Sequence, residues 1–241
     1  MKISILTLFP EMFAGPFDHS IIKRAKEKGL IEIEFINIRD FGIGVHKMVD
    51  DTPYGGGVGM VMRVDVLHEA IKYAKRHSGE DAGRLQNLDS GQARTTKQKV
   101  VLMSASGKPF KQNSAKQYAK LDHLILICGH YEGVDERIME YIDEEVSIGD
   151  FVLTGGELPA MMITDSVTRL LEGAITQGAV EDESFSNPDE TLEYPHYTKP
   201  REYDGGSVPE VLLSGNHKKI AEWRKEKSFK KTKRVRPELL K

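Results

Sequence analysis

The stretch "SIGDFVLTGGELP", residues 147–159, runs from an apolar segment into a Gly-Gly pair, an acid and a proline. Glycines at such a place let backbone approach a ligand, and the usual ligand is a phosphate held by backbone N–H groups. Here there are two acids and no Lys or Arg, which disfavours phosphate. A second glycine cluster, "DDTPYGGGVGMVM" at 50–62, lacks the Gly-Lys-Ser/Thr ending of a phosphate loop. It also lacks the strand-to-helix setting of a dinucleotide fingerprint. It reads as a lid or substrate-binding loop, with a structural hinge as the plainer alternative.

The remaining reactive side chains are few. None of the eight histidines stands at metal-ligand spacing from Cys or another His, so no metal site is expected. His130 and His196 fall in polar loops, where each could donate to a ligand or RNA or simply face solvent. Cys128 ends an apolar run and reads as a small hydrophobe, not a nucleophile. Asp165 and Arg169 are four apart just after the Gly-Gly turn: either an ordinary ion pair worth a few tenths of a kcal/mol, roughly, or part of a site at that rim. The acidic run "EDES" at 181–184 is, on composition, a solvated linker.

Elements must carry these groups. "KISILTLF" predicts a buried strand, Pro10 to Gly29 a helical stretch broken at Pro16, and "LIEIEFINI" an alternating strand. "VDVLHEAIKYAKRH" has helical spacing, with Val64, Leu67, Ile71 and Ala74 on one face. Residues 78–98 are polar and aperiodic, a long mobile surface insertion. "KVVLMS", "HLILIC" and "VSIGDFVL" then predict three strands running into "ASGKPF", "GHYEG" and "TGGELP". Helices are expected at 111–121, 133–145 and 157–173. Strands alternating with helices predict an α/β domain with a mainly parallel sheet, whose ligands sit at the carboxyl ends of the strands. After Gly173 comes a polar, Gly- and Pro-containing segment, then a short strand or turn and a helix with Ile220 and Trp223 inward.

At 241 residues, 39% apolar and 29% charged, the chain has the composition of an ordinary globular protein. The first apolar run is too short for a membrane span and lacks a cleavage pattern, so it reads as a strand and not a signal peptide. A lone cysteine suits a reducing cytoplasm. The charge is unevenly placed: residues 1–198 have 21 Lys/Arg against 31 Asp/Glu, net −10, whereas 199–241 have 13 against 6, net +7. Eight of the cations fall within 224–236. A basic end on an acidic body suits a polyanion such as RNA, or else is a solvated terminal helix.

In order and spacing, "DDTPYGGGVGMVM", "CGHYEGVDERIMEYIDEEVSIGDFVLTGGELPAM", "DSVTRLLEGA", "EYPHYTKP", "VPEVLLSGNHKKIAEWR" and "RPELL" resemble the bacterial tRNA (guanine-N(1))-methyltransferase family of the SPOUT superfamily. The resemblance covers nearly the whole chain. It implies methyl transfer from S-adenosylmethionine to N1 of the guanosine just 3′ of the anticodon in tRNA. It also implies a deep trefoil knot and a homodimer with active sites shared between subunits. By position, cofactor contacts fall on Met103, Ser104, Ala105 and Gly107; on Gly129, Tyr131, Glu132 and Gly133; and on Ser147, Ile148, Gly149, Asp150, Phe151, Val152, Leu153, Gly155, Gly156 and Pro159. The missing cation now fits, because adenosine is uncharged and the sulfonium is positive.

The resemblance makes Arg169 the stabiliser of charge on the guanine oxygen. The family's catalytic aspartate precedes a Ser-Phe pair, but this chain has "EDESF": Glu183 holds that register, and Asp182 holds the side-chain identity. Both stay candidates. The domains implied are 1–173 for the cofactor, 174–190 as the linker with the acid, and 191–241 as a basic helical tRNA-binding domain. Lys218, Lys219, Arg224, Lys230, Lys231 and Arg234 are its expected phosphate contacts. A catalytically silent RNA-binding protein and a methyltransferase for another RNA are the competing readings.

Overall fold

The apolar runs become one parallel sheet in the computed structural model, which describes residues 1–76, 97–176, 178, 183–187 and 191–240. The chain divides into two compact units, Met1–Ile175 and Thr176–Lys241. In chain order the first holds β1 (Lys2–Thr7), α1 (Ser20–Glu27), β2 (Glu32–Asn37), β3 (Asp50–Asp51), β4 (Val61–Met62), α2 (Val64–Arg76), β5 (Gln98–Pro109), α3 (Gln112–Tyr118), β6 (His123–Cys128), β7 (Glu144–Ser147) and α4 (Glu157–Thr168). The second holds β8 (Glu202–Tyr203), β9 (Gly206–Ser207), α5 (Glu210–Leu213) and α6 (His217–Val235). The fold is mixed α/β, with a five-stranded parallel sheet in the order β2-β1-β6-β5-β7.

The sheet strands read as unbroken apolar runs because both faces are covered. Ile3, Ile5, Val101, Met103, Leu124, Leu126 and Val146 pack beneath α1, α3 and α4 with Phe13, Tyr118 and Ile163. Leu6, Val100, Leu102, Ile125 and Ile127 pack on the other face against Leu67, Ala70 and Ile71 of α2. The face expected for α2 is the buried one, with Val66 added to it and Val64 only half-buried.

Some expected elements are shorter. The helix expected at 133–145 is a single 3-10 turn, Glu136–Glu140, started by Asp135, whose side chain accepts from Arg137 N–H. The strand in "VSIGDFVL" stops at Ser147, where Gly149 takes a φ of 155° and the chain leaves the sheet. Pro10 and Pro16 each open a 3-10 turn ahead of α1. The expected insertion lies outside the described residues over 77–96, and Gln98 already belongs to β5. In the second unit "EVLL" is a short helix, not a strand. Ile220 and Trp223 are half-buried there, and the fully inward residues of α6 are Ser228 and Thr232.

β5 makes the irregularity that matters for a site. Met103 and Lys108 both lie opposite Val146 of β7, so residues 104–107 bulge out between them. Gly107 allows the return, because a Cβ there would stand 2.4 Å from Val146 N. β7 is held at this edge by Glu144, which accepts from Lys99 Nζ at 2.7 Å and Tyr118 OH at 2.8 Å.

At the opposite end of the sheet, His123 is buried with Nε2 2.9 Å from Ser4 Oγ. Burial, helped by the Lys2 ammonium and opposed by Glu34, lowers its pKa to about 4. An unfolded histidine titrates near 6.5, so between about 6.5 and 4 the unfolded chain takes up a proton that the folded chain refuses. Stability is therefore lost as pH falls through that window. We expect the urea midpoint of wild type to drop more between pH 7 and 4.5, roughly, than that of His123→Gln; parallel curves would refute this role.

Candidate active site

The bulge of β5 adjoins the loops that follow β6 and β7, and together they enclose a cavity of about 320 Å³. The first wall is Leu102 to Ser106. Ser106 N–H donates to Ser104 Oγ at 3.2 Å, and Ser106 Oγ donates to Glu145 at 2.9 Å, tying the bulge to β7. The second wall is Gly129 to Val134, turned sharply at Tyr131 (φ 59°) and Gly133 (φ 127°). The third takes Val146 to Gly149, Phe151 to Gly156, and Pro159. Ser147 Oγ starts its turn by accepting from Gly149 N–H at 3.2 Å.

The Gly-Gly pair works by close approach. A Cβ on Gly156 would lie 2.6 Å from Cys128 Cα and 2.9 Å from Gly129 N, and Gly156 N–H donates to Gly129 O at 2.9 Å. Gly155 pairs with His130 in an isolated antiparallel bridge; a Cβ there would meet Glu157 Oε2 at 2.4 Å and His130 Nδ1 at 2.9 Å. Glu157, the buried first residue of α4, accepts from Thr7 Oγ1 at 2.7 Å and so ties this turn to β1.

Among the described residues the cavity wall contains no Lys or Arg, and its one carboxylate is Glu132. Glu132 lies against Gly59, where a Cβ would be 2.4 Å from its Cγ, and its N–H donates to Met60 O at 3.1 Å. The second glycine cluster is thereby held on the rim, as a β3–β4 ribbon whose Tyr54 is fully exposed. His130 also lines the cavity; its Nδ1 is buried and has no hydrogen-bond partner among the described residues.

Of the positions singled out in the sequence, Met103, Ser104, Ala105, Gly129, Tyr131, Glu132, Gly133, Ser147, Ile148, Gly149, Phe151, Val152, Leu153, Gly155, Gly156 and Pro159 share this wall. Gly107 and Asp150 do not: Gly107 packs on β7, and Asp150 is exposed. Leu102, Val134 and Val146 were not anticipated, since an apolar strand-end residue gives no sign of facing a cavity instead of the core. Ser106 and Thr154 were likewise not singled out.

Arg169 caps the end of α4, its N–H donating to Asp165 O at 3.1 Å. Glu183 belongs to the second unit, in a turn where its carbonyl accepts from Ser186 N–H and Phe185 takes a φ of 66°. Asp182 lies outside the described residues. The six expected phosphate contacts are all on α6. At about 100° per residue, Lys219, Lys230 and Arg234 share one side, Arg224 and Lys231 another, and Lys218 stands apart. Lys230 pairs with Glu226, and Lys231 Nζ donates to Glu193 O at 3.1 Å.

A family profile described as tRNA (Guanine-1)-methyltransferase TrmD matches residues 1–241. The chain belongs to the tRNA (guanine-1)-methyltransferase family. Similar proteins bear the name tRNA (guanine-N(1)-)-methyltransferase. One from Pelotomaculum thermopropionicum is 52% identical over 243 residues, covering 100% of this chain and 90% of that protein. One from Clostridium botulinum is 51% identical over 242 residues, covering 100% and 92%. One from Endomicrobium trichonymphae is 48% identical over 242 residues and covers both chains fully.

Cys128 is buried in the core, and burial pushes its thiol well up, with Glu157 adding to the effect. The glycine pair gives a sharper test. Gly156→Ala must displace backbone and should cost about 1–3 kcal/mol in urea unfolding, whereas Gly155→Ala meets the Glu157 carboxylate and the His130 ring, side chains that give way before backbone does, and should cost less. Equal losses would contradict the geometry.

Proposed function

We propose that this protein transfers a methyl group from S-adenosylmethionine, bound in the three-loop cavity, to N1 of the guanosine just 3′ of the anticodon in tRNA. The observation that supports the donor is the cation-free, glycine-cradled wall. Gly155 and Gly156 let the third loop pack directly on His130, Cys128 and Gly129, so that loop presents backbone to a ligand in the cavity. Backbone groups and small hydroxyls supply hydrogen bonds, and an acid at Glu132 tolerates a nearby positive charge. When bound, S-adenosylmethionine supplies an electrophilic methyl on a sulfonium.

The chain's own part is to make N1 nucleophilic. That nitrogen carries a proton, so a base must take it, and the charge left behind moves to the guanine oxygen. A carboxylate of the 182–183 pair is the base in this reading, and Arg169 holds the oxyanion with a planar donor fork. The basic cations of α6 hold the tRNA phosphates, which fixes position without reading sequence. The same reading includes the trefoil knot, a cytoplasmic setting and a homodimer with shared sites. The half-exposed Leu158 and Met162 of α4 are apolar surface that a second copy would cover.

Two measurements test the roles. Arg169→Ala should leave S-adenosylmethionine affinity within about twofold by calorimetry and lower the methylation rate by 10²-fold or more, roughly. Lost affinity with a normal rate would reverse the assignment. Of Asp182→Asn and Glu183→Gln, one should lower the rate by about 10²–10⁴-fold and the other far less. Small equal losses would place the base elsewhere, and no transfer by a wild type that binds the donor would favour a silent RNA-binding protein.

A further inference from the structure

The second unit has a cavity of its own, about 230 Å³. Its floor is polar but already satisfied. Asn187 accepts from Thr191 N–H at 3.0 Å and donates to Thr191 O at 2.9 Å. Thr191 Oγ1 meets Ser228 Oγ at 2.9 Å, and Ser228 Oγ donates to Leu192 O at 2.6 Å. Such a floor is rigid and has little left to offer a ligand.

The wall is different. The Arg224 guanidinium lies over the Tyr194 ring, 4.7 Å from its centroid. Among the described residues Arg224 makes no hydrogen bond or ion pair. Lys225 and Glu193 also line the cavity, and Glu193 Oε1 lies 2.8 Å from His196 Nε2. An arginine normally loses up to about 2 kcal/mol of side-chain freedom when it binds. Stacking on Tyr194 has already removed part of that freedom, and it leaves the in-plane N–H groups unused. A planar fork stacked on an aromatic ring and making no ion pair among the described residues suits a two-oxygen acceptor.

We propose that this cavity is a phosphate subsite for the tRNA backbone, with Arg224 as its donor fork and Tyr194 as the platform that aims it. The inference rests on the tRNA reading above and adds to it a built site, distinct from the general attraction of a basic helix.

The test compares tRNA binding by the full-length protein from about 50 to 200 mM salt, where phosphate contacts are read from the salt slope. Arg224→Lys keeps the charge but loses the fork, and should weaken binding about tenfold with a nearly unchanged slope. Arg224→Ala should weaken it further and lower the slope by about 1. Tyr194→Leu, which removes no charge, should resemble Arg224→Lys, and Tyr194→Phe should bind like wild type. S-adenosylmethionine affinity and the thermal midpoint are measured on each variant to show that it is folded. Wild-type affinity in folded Arg224→Lys or in folded Tyr194→Leu would overturn the subsite while leaving the methyltransferase reading intact. A wild type that binds S-adenosylmethionine but no tRNA would overturn both.

Discussion

The approach of Gly156 to the end of β6 is the constraint on which the site depends. Backbone of the third loop lies where any side chain would collide with Cys128 and Gly129, and the contact is closed by the Gly156 N–H bond to Gly129 O. Because β5 lies between β6 and the edge strand β7, fixing the third loop to the second also fixes both against the bulge of β5. The cavity is thus walled by the backbone of the sheet's own strand ends. Glu157 extends this anchoring to β1 through Thr7, so four of the five strands contribute to the position of one turn.

The same economy explains the chemistry of the wall. The wall is mostly glycine, small hydroxyls and apolar or aromatic groups, with His130 and Glu132, and among the described residues no Lys or Arg lines it. Such a wall suits a ligand recognised chiefly by shape and by backbone hydrogen bonds. Charge is concentrated instead in the second unit, on α6, where the polar contacts of Ser228 and Thr232 replace an apolar core: Thr232 Oγ1 accepts from Leu192 N–H at 2.9 Å. Leaving that buried N–H unpaired would cost about 1–3 kcal/mol, so a small unit with few large buried side chains depends on such bonds.

Much of this was legible in the chain. Unbroken apolar runs alternating with helical periods determined a parallel α/β sheet, because strands covered on both faces need no polar alternation. The glycine loops and the missing cation determined what kind of ligand to exclude, and the family match confirms the enzyme class that those motifs resembled. What the sequence could not show was decided by contacts distant along the chain. The third strand ends at Ser147 because Gly149 turns out of the sheet, although Ile148, Phe151, Val152 and Leu153 continue the apolar character of "VSIGDFVL". Gly107 looks like a ligand glycine, and only the return of β5 onto Val146 shows that it serves strand packing. The acidic 133–145 stretch has helical composition but folds as one 3-10 turn after Asp135. Local propensity fixes which elements are available; which glycine meets a ligand and which meets a neighbouring strand depends on where the backbone passes, and that is set by the packed sheet.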